Sequence, residues 1–130
     1  MDEFSFLQFG GDSAPTSAQF RWCNPFGAGA YMQTLEAGQW PSPRAGTLQN
    51  FQLHVGTVIT GNATCVVTLQ VNGVSVLTLW TLTSASAATV EDFTSTVRIQ
   101  KGDRISIMTF ANNGTGTGPA DFQFSCELVP

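Results

Sequence analysis

Positive charge is scarce in this chain of 130 residues. Lys101 is the lone lysine, and with Arg21, Arg44, Arg98 and Arg104 it faces nine acids, for a net charge of −4. Phosphate recognition needs clustered Lys and Arg, so nucleic acid is not an expected partner. Charge of either sign is thin, at 11% of residues against about 25% in ordinary soluble domains. Thr, Ser, Gly and Ala take its place. A surface so poor in charge, without a disordered-type composition, suggests that partners cover much of it.

Other absences narrow the field further. No apolar run approaches the roughly 18 residues of a membrane span, so no membrane partner is expected. Met1 leads into Asp2-Glu3-Phe4-Ser5-Phe6 with neither a basic n-region nor an apolar h-region. The chain is therefore expected to lack a signal peptide and to be made in the cytoplasm, with the sequons at Asn62 and Asn113 falling there by chance. Cys23, Cys65 and Cys126 are odd in number and form no CxxC, and the lone histidine, His54, sits at no zinc-ligand spacing from them. They read as buried, reduced thiols, with no metal and no cofactor. GxSxG, HExxH and P-loop patterns are missing, and Gly114–Gly118 has no helix pattern behind it to cradle a phosphate. His54 reads as a structural or surface histidine. Glu91, Asp92, Asp103 and Asp121 are carboxylates that could pair in space as glycosidase acids do, although loop carboxylates are usually solvated. A non-catalytic protein is expected.

The clearest positive signal is the stretch from Thr64 to Leu82, two β-rich runs around Asn72-Gly73. Both central residues of a type I′ turn need φ > 0, which Gly accepts and Asn tolerates. A regular hairpin closed there sets Val71 opposite Val74, Leu69 opposite Val76, Val67 opposite Thr78 and Cys65 opposite Trp80, all on a core face. The other face starts polar at Gln70 and Ser75 and turns apolar at Val66, Leu77 and Leu79. Those three need a cover, either a loop of the same chain or a second subunit, and the expectation is a subunit interface.

Residues 1–16 carry Phe4, Phe6 and Phe9, three acids and no base, before Gly10-Gly11 and Pro15 break the run. Two readings stay open: a first strand docked on its own domain, or an arm reaching a neighbour. The expectation carried forward is an N-terminal arm over 1–16, with Phe4, Phe6 and Phe9 touching a neighbouring subunit or a capsid. A domain over 17–130 follows.

Within that domain, Ser17 to Cys23 alternates as a half-buried strand, and Tyr31 to Glu36 reads as a short one. Residues 37–44 hold two prolines and are expected to be irregular, with Trp40 plugging the core edge. Gly46 to Val55 alternates through Leu48, Phe51, Leu53 and Val55, with a slip at Gln49-Asn50 that predicts a bulge. Phe93 to Ile99, Arg104 to Phe110 and Ala120 to Leu128 complete the pattern. Ile105, Ile107 and Thr109 share one face, as do Phe122, Phe124 and Cys126. Seven or eight short strands with no helical period predict an all-β sandwich or barrel, with a jelly roll favoured over an immunoglobulin fold.

Three motifs, taken in order, sharpen this: Ala45-Gly46-Thr47-Leu48, then Val71-Asn72-Gly73-Val74, then Val97 to Ile107 with its Lys101-Gly102-Asp103 turn. Over about residues 45–128 the chain resembles phage and bacterial jelly-roll domains of the tumour-necrosis-factor and C1q-like group, found at fibre tips and on capsid surfaces. That resemblance implies a homotrimer acting by binding. The expected function is a capsid decoration (cement) protein, a viral structural protein partnered with the major capsid protein on the virion surface. The alternative is a receptor- or glycan-binding tip of a tail fibre, favoured by Trp40 and the Asn/Gly/Thr-rich loop; a small carbohydrate-active enzyme is a third reading.

Overall fold

A computed structural model describes residues 5–25, 27 and 29–130, Ser5 by its backbone alone. Ten strands run in order: β1 (Ser5–Gly11), β2 (Phe20–Trp22), β3 (Trp40–Pro41), β4 (Gly46–Thr57), β5 (Thr64–Val71), β6 (Val74–Leu82), β7 (Thr89–Asp92), β8 (Val97–Ile99), β9 (Arg104–Asn112) and β10 (Ala120–Val129). They form two antiparallel sheets, and the protein is an all-β sandwich. The first sheet runs β1-β10-β4, with β7 and β8 following each other along the far edge of β4. The second runs β9-β5-β6, with β2 and β3 sharing the free edge of β9. Ten strands thus fill eight positions. Among the described residues the only helical element is a single 3₁₀ turn, Glu36–Gly38.

Alternation places the core between the sheets. Leu48, Phe51, Leu53 and Val55 from β4, with Phe122, Phe124, Cys126 and Leu128 from β10, meet Cys65, Val67 and Leu69 from β5 and Ile105, Ile107 and Thr109 from β9. The slip at Gln49-Asn50 is a bulge. Asn50 sits at φ 54°, and the register against β10 shifts between Ser125 and Glu127. The bulge lets β4 keep Leu48 and Phe51, three residues apart, on the same buried face. Asn50 Nδ2 donates to Glu127 Oε2 at 2.8 Å, which ties the extra residue down.

Residues 5–11 are not an arm. They form β1, paired with β10 from Ser5 opposite Leu128 to Gly11 opposite Phe122. The phase of the alternation decides it: Leu7 and Phe9 point into the core, whereas Phe6 and Gln8 point outward. Phe9 packs edge-on to Phe124 at 5.9 Å. The glycines expected to act as a hinge are instead points of close approach. Gly10 exchanges backbone hydrogen bonds with Asn24, and a Cβ on Gly11 would overlap the Tyr31 ring.

Four further expectations need correction. The Ser17–Cys23 strand shrinks to Phe20–Trp22, because Ala18 turns at φ 59°. Tyr31–Glu36 forms no strand; Tyr31 packs against Phe122 at the core's edge, and Met32 makes one bridge to Trp22. Trp40–Pro41, expected to be irregular, pairs with Ile105 and Arg104, a position open to proline because it is a sheet edge. Trp40 does pack against the core, as a plug should. Lastly, the run assigned to Phe93–Ile99 begins earlier and breaks at Phe93. There Asp92 Oδ1 accepts from the Thr94 and Ser95 amides, an Asx-type turn that ends β7.

Candidate binding surfaces

The hairpin at Asn72-Gly73 closes as predicted, with φ of 54° and 80° and Val71 opposite Val74. Its far end is re-phased by two irregularities. Leu69 lies opposite Leu77, leaving Val76 as an extra residue, and Val67 lies opposite Trp80, leaving Leu79 as another. The first slip turns Leu77 toward the core, where it packs against the buried cluster, and leaves Val76 open to solvent; Val74, beside the turn, is exposed as well. The second returns Trp80 to the inside, edge-on to Phe124 at 6.1 Å. Leu79 is only 8% exposed in the single chain. Leu77 and Leu79 are therefore covered by their own domain, and the interface expected from Val66, Leu77 and Leu79 keeps only Val66 on the outer face.

That outer face of the second sheet divides in two. Near the hairpin tip it is polar and buried. Gln70 Oε1 accepts from Trp22 Nε1 at 2.9 Å and from Ser106 Oγ at 3.3 Å, and Gln70 Nε2 donates to Ser75 Oγ at 3.3 Å. Trp22 thereby covers the amide and the hydroxyl, which the resulting hydrogen bonds satisfy. Further along, the face is apolar: Val66 lies opposite Phe110, Trp22 opposite Met108, and Phe20 opposite Phe110. The Phe20 and Phe110 rings touch at 4.8 Å, yet Phe20 remains 52% exposed.

The outer face of the first sheet was not singled out in the sequence, although its signal was there. The outward positions in the middle of β1, β4 and β10 carry amides, hydroxyls and one imidazole, with the carboxylates Asp121 and Glu127 toward the ends of β10. Registers align them into rows: Gln8, Ser125 and Gln52 in one, Gln123, His54 and Thr89 in the next. Neighbouring strands lie about 4.8 Å apart, so the rows form a lattice of hydrogen-bonding groups. A depression of about 460 Å³ lies over both rows and adjoins a second, of about 310 Å³, which has Phe6 and Phe93 in its lining. Both share Gln52 and Ser125. Phe6 is 65% and Phe93 55% exposed.

Of the residues expected to touch a capsid or neighbour, Phe9 is in the core, Phe6 is on this outer face, and Phe4 lies outside the described residues. His54 is exposed, with Nδ1 2.8 Å from Thr89 Oγ1. Asp92, Asp103 and Asp121 each hold a separate segment, and Glu91 lies on β7 opposite Gln52. Asp92 holds Thr94 and Ser95. Asp103 Oδ2 accepts from the Gln100 amide at 2.8 Å, and Asp121 Oδ1 accepts from the Ser13 amide at 2.9 Å. The Ser95 side chain and amide hold Asp92 below the usual carboxylate range, and the Gln100 amide and Asn72 side chain do the same for Asp103. Among the described residues no three His, Cys, Asp or Glu side chains converge as a metal site. The three cysteines are free and buried, and desolvation pushes Cys65 and Cys126 each up to about 12.

The Asn/Gly/Thr-rich loop is bound to its neighbour. Asn62 Oδ1 accepts from the Thr115 amide and hydroxyl at 2.8 and 3.0 Å, and Thr60 exchanges hydrogen bonds with Thr117. A Cβ on Gly116 would overlap the Thr60 carbonyl oxygen, so glycine is needed there for backbone contact.

No family model and no curated protein matches this chain.

Proposed function

We propose that this is a non-catalytic structural protein of a phage virion, a capsid decoration protein that works as a homotrimer on the major capsid protein. The observation that carries the reading is the apolar half of the second sheet's outer face, where Phe20, Val66, Met108 and Phe110 adjoin with Phe20 half open to water. Burying such a patch once per subunit in a closed ring leaves no sticky edge to propagate.

The strand order supports the jelly-roll part of the reading. Counting β2 with β3 and β7 with β8, the eight positions lie as 1-8-3-6 in one sheet and 2-7-4-5 in the other. That order arises when one long antiparallel hairpin, pairing 1 with 8, 2 with 7, 3 with 6 and 4 with 5, rolls up so that alternate pairs go to opposite sheets. Jelly rolls are built this way and are common in capsid proteins.

Light scattering at micromolar concentration tests the assembly. A trimer mass is expected, falling to a monomer for Phe20→Asp, because a carboxylate buried in that contact would be desolvated without a partner. Phe20 is exposed enough that the variant should fold normally. A monomer mass for the wild type would sink the trimer. Co-sedimentation with capsids tests the location, and absence of the protein from the capsid pellet would sink decoration.

A further inference from the structure

We infer that the lattice on the outer face of the first sheet is a binding site for an uncharged oligosaccharide. The inference is independent of where on a virion the protein sits, since a decoration subunit and a fibre tip could both carry such a site.

Three observations converge on this ligand class. First, the side chains of Gln8, Gln52, Gln123 and Ser125 have no hydrogen-bond partner among the described residues and lie together in two adjacent rows. Each glutamine amide offers both donors and an acceptor, and a sugar hydroxyl is likewise both donor and acceptor. Rows spaced by the strand separation place several such groups under one flat ligand.

Second, the charge is wrong for an anion. No Lys or Arg lines either depression; Glu127, in the lining, is engaged by Asn50 and Gln49, and Glu91 stands opposite Gln52 at the end of the first row. Phosphate, sulfate and uronate ligands would find no cation, in a protein that is itself acidic. With carboxylates and no Lys or Arg around it, the site disfavours anions and suits an uncharged ligand.

Third, two aromatic rings stand exposed in the lining beside the amides, Phe6 and Phe93. An aromatic face can cover the apolar C–H face of a pyranose while the amides bond its hydroxyls. A protein partner fits less well. Burying unpaired amides against apolar side chains costs free energy unless every one finds a partner, and hydroxyl-rich ligands supply those partners most readily. His54, held by Thr89, adds a ring nitrogen in the middle of one row.

The test uses the whole chain on an array of neutral glycans. Titration with the best glycan retained then follows, read by NMR from the side-chain amide signals of Gln8, Gln52 and Gln123. The wild type should bind with those signals moving first. The double variant Gln52→Ala/Gln123→Ala and the single variant Phe93→Ala should each weaken binding at least tenfold at an unchanged melting temperature. Phe20→Asp, which tests the trimer, should bind as the wild type does, so a failure of assembly is distinguished from a failure of this site. Retention of no neutral glycan would overturn the proposal. So would equal binding by the double variant, or a preference for sulfated or uronate glycans. A change of oligomeric mass in the double variant would also overturn it, because the face would then be a subunit contact.

Discussion

Through its side chain, Asn72 meets two polar groups from a backbone conformation that most residues avoid. At φ 54° it makes the first half of the turn, its Nδ2 donates to Asp103 Oδ1 at 3.0 Å, and its Oδ1 accepts from the Arg104 amide at 2.9 Å. The hairpin tip is thus fastened to the turn before β9. Asn72→Ala should cost about 2–3 kcal/mol in urea melts, combining the left-handed penalty with lost hydrogen bonds. Asn72→Gly should recover only the backbone part. NMR titration of the glycine variant should show the Asp103 carboxyl moving back toward its ordinary range. Its depressed value stabilises the fold above the free carboxylate range, and that contribution fades as pH falls through the folded value.

The thiols act in the opposite sense. Cys65 and Cys126 reach about 12 when folded, from an ordinary value of 9.0, so the folded chain holds these protons more tightly than the unfolded one. Stability is intact below pH 9 and falls between 9 and 12, by about 1.4 kcal/mol per thiol per pH unit. Melting temperature should therefore drop above pH 9, and less so in a Cys65→Val/Cys126→Val variant. Ellman's reagent should leave the native thiols unmodified and react with all three on denaturation.

At the level of the element, the sequence carried most of what the strand periodicity could carry. The alternation on β4, β9 and β10, the type I′ turn and the Asn50 bulge were all legible, because each rests on local patterning or on one residue's tolerance of φ > 0. The two slips in β6 were not. Val74-Ser75-Val76-Leu77 alternates well enough for a regular strand, and only packing against Leu69 and Phe124 selects the shifted register. A regular register therefore sends Leu77 and Leu79 to an interface. The amide rows escaped for a different reason: they come together only once the order β1-β10-β4-β7 is known. Two experiments measure these corrections. Leu79→Asp should lower stability by at least about 3 kcal/mol instead of merely dissociating an oligomer, since it places a charge in the core. Deleting residues 2–11 should unfold the domain, because it removes Leu7 and Phe9 and strips β10 of a partner. A truncated chain that keeps its melting temperature would restore the arm.

Over the whole molecule, pairing between distant parts of the chain dominates. The eight-position order joins β1 to β10, and among the described strands only β5 and β6 pair as neighbours in sequence. Such topologies fold in milliseconds to seconds, slower than helical domains of similar stability, and stopped-flow refolding should fall in that range. The Ser5–Leu128 pairing has a further consequence during synthesis. As the chain leaves the ribosome, β1 emerges with Leu7 and Phe9 uncovered and, beyond the Gly10–Asn24 bridge, has no partner strand until β10 has been made. The nascent first strand must stay soluble until β10 has been made, a period in which chaperones would find it, and the first sheet can close only then.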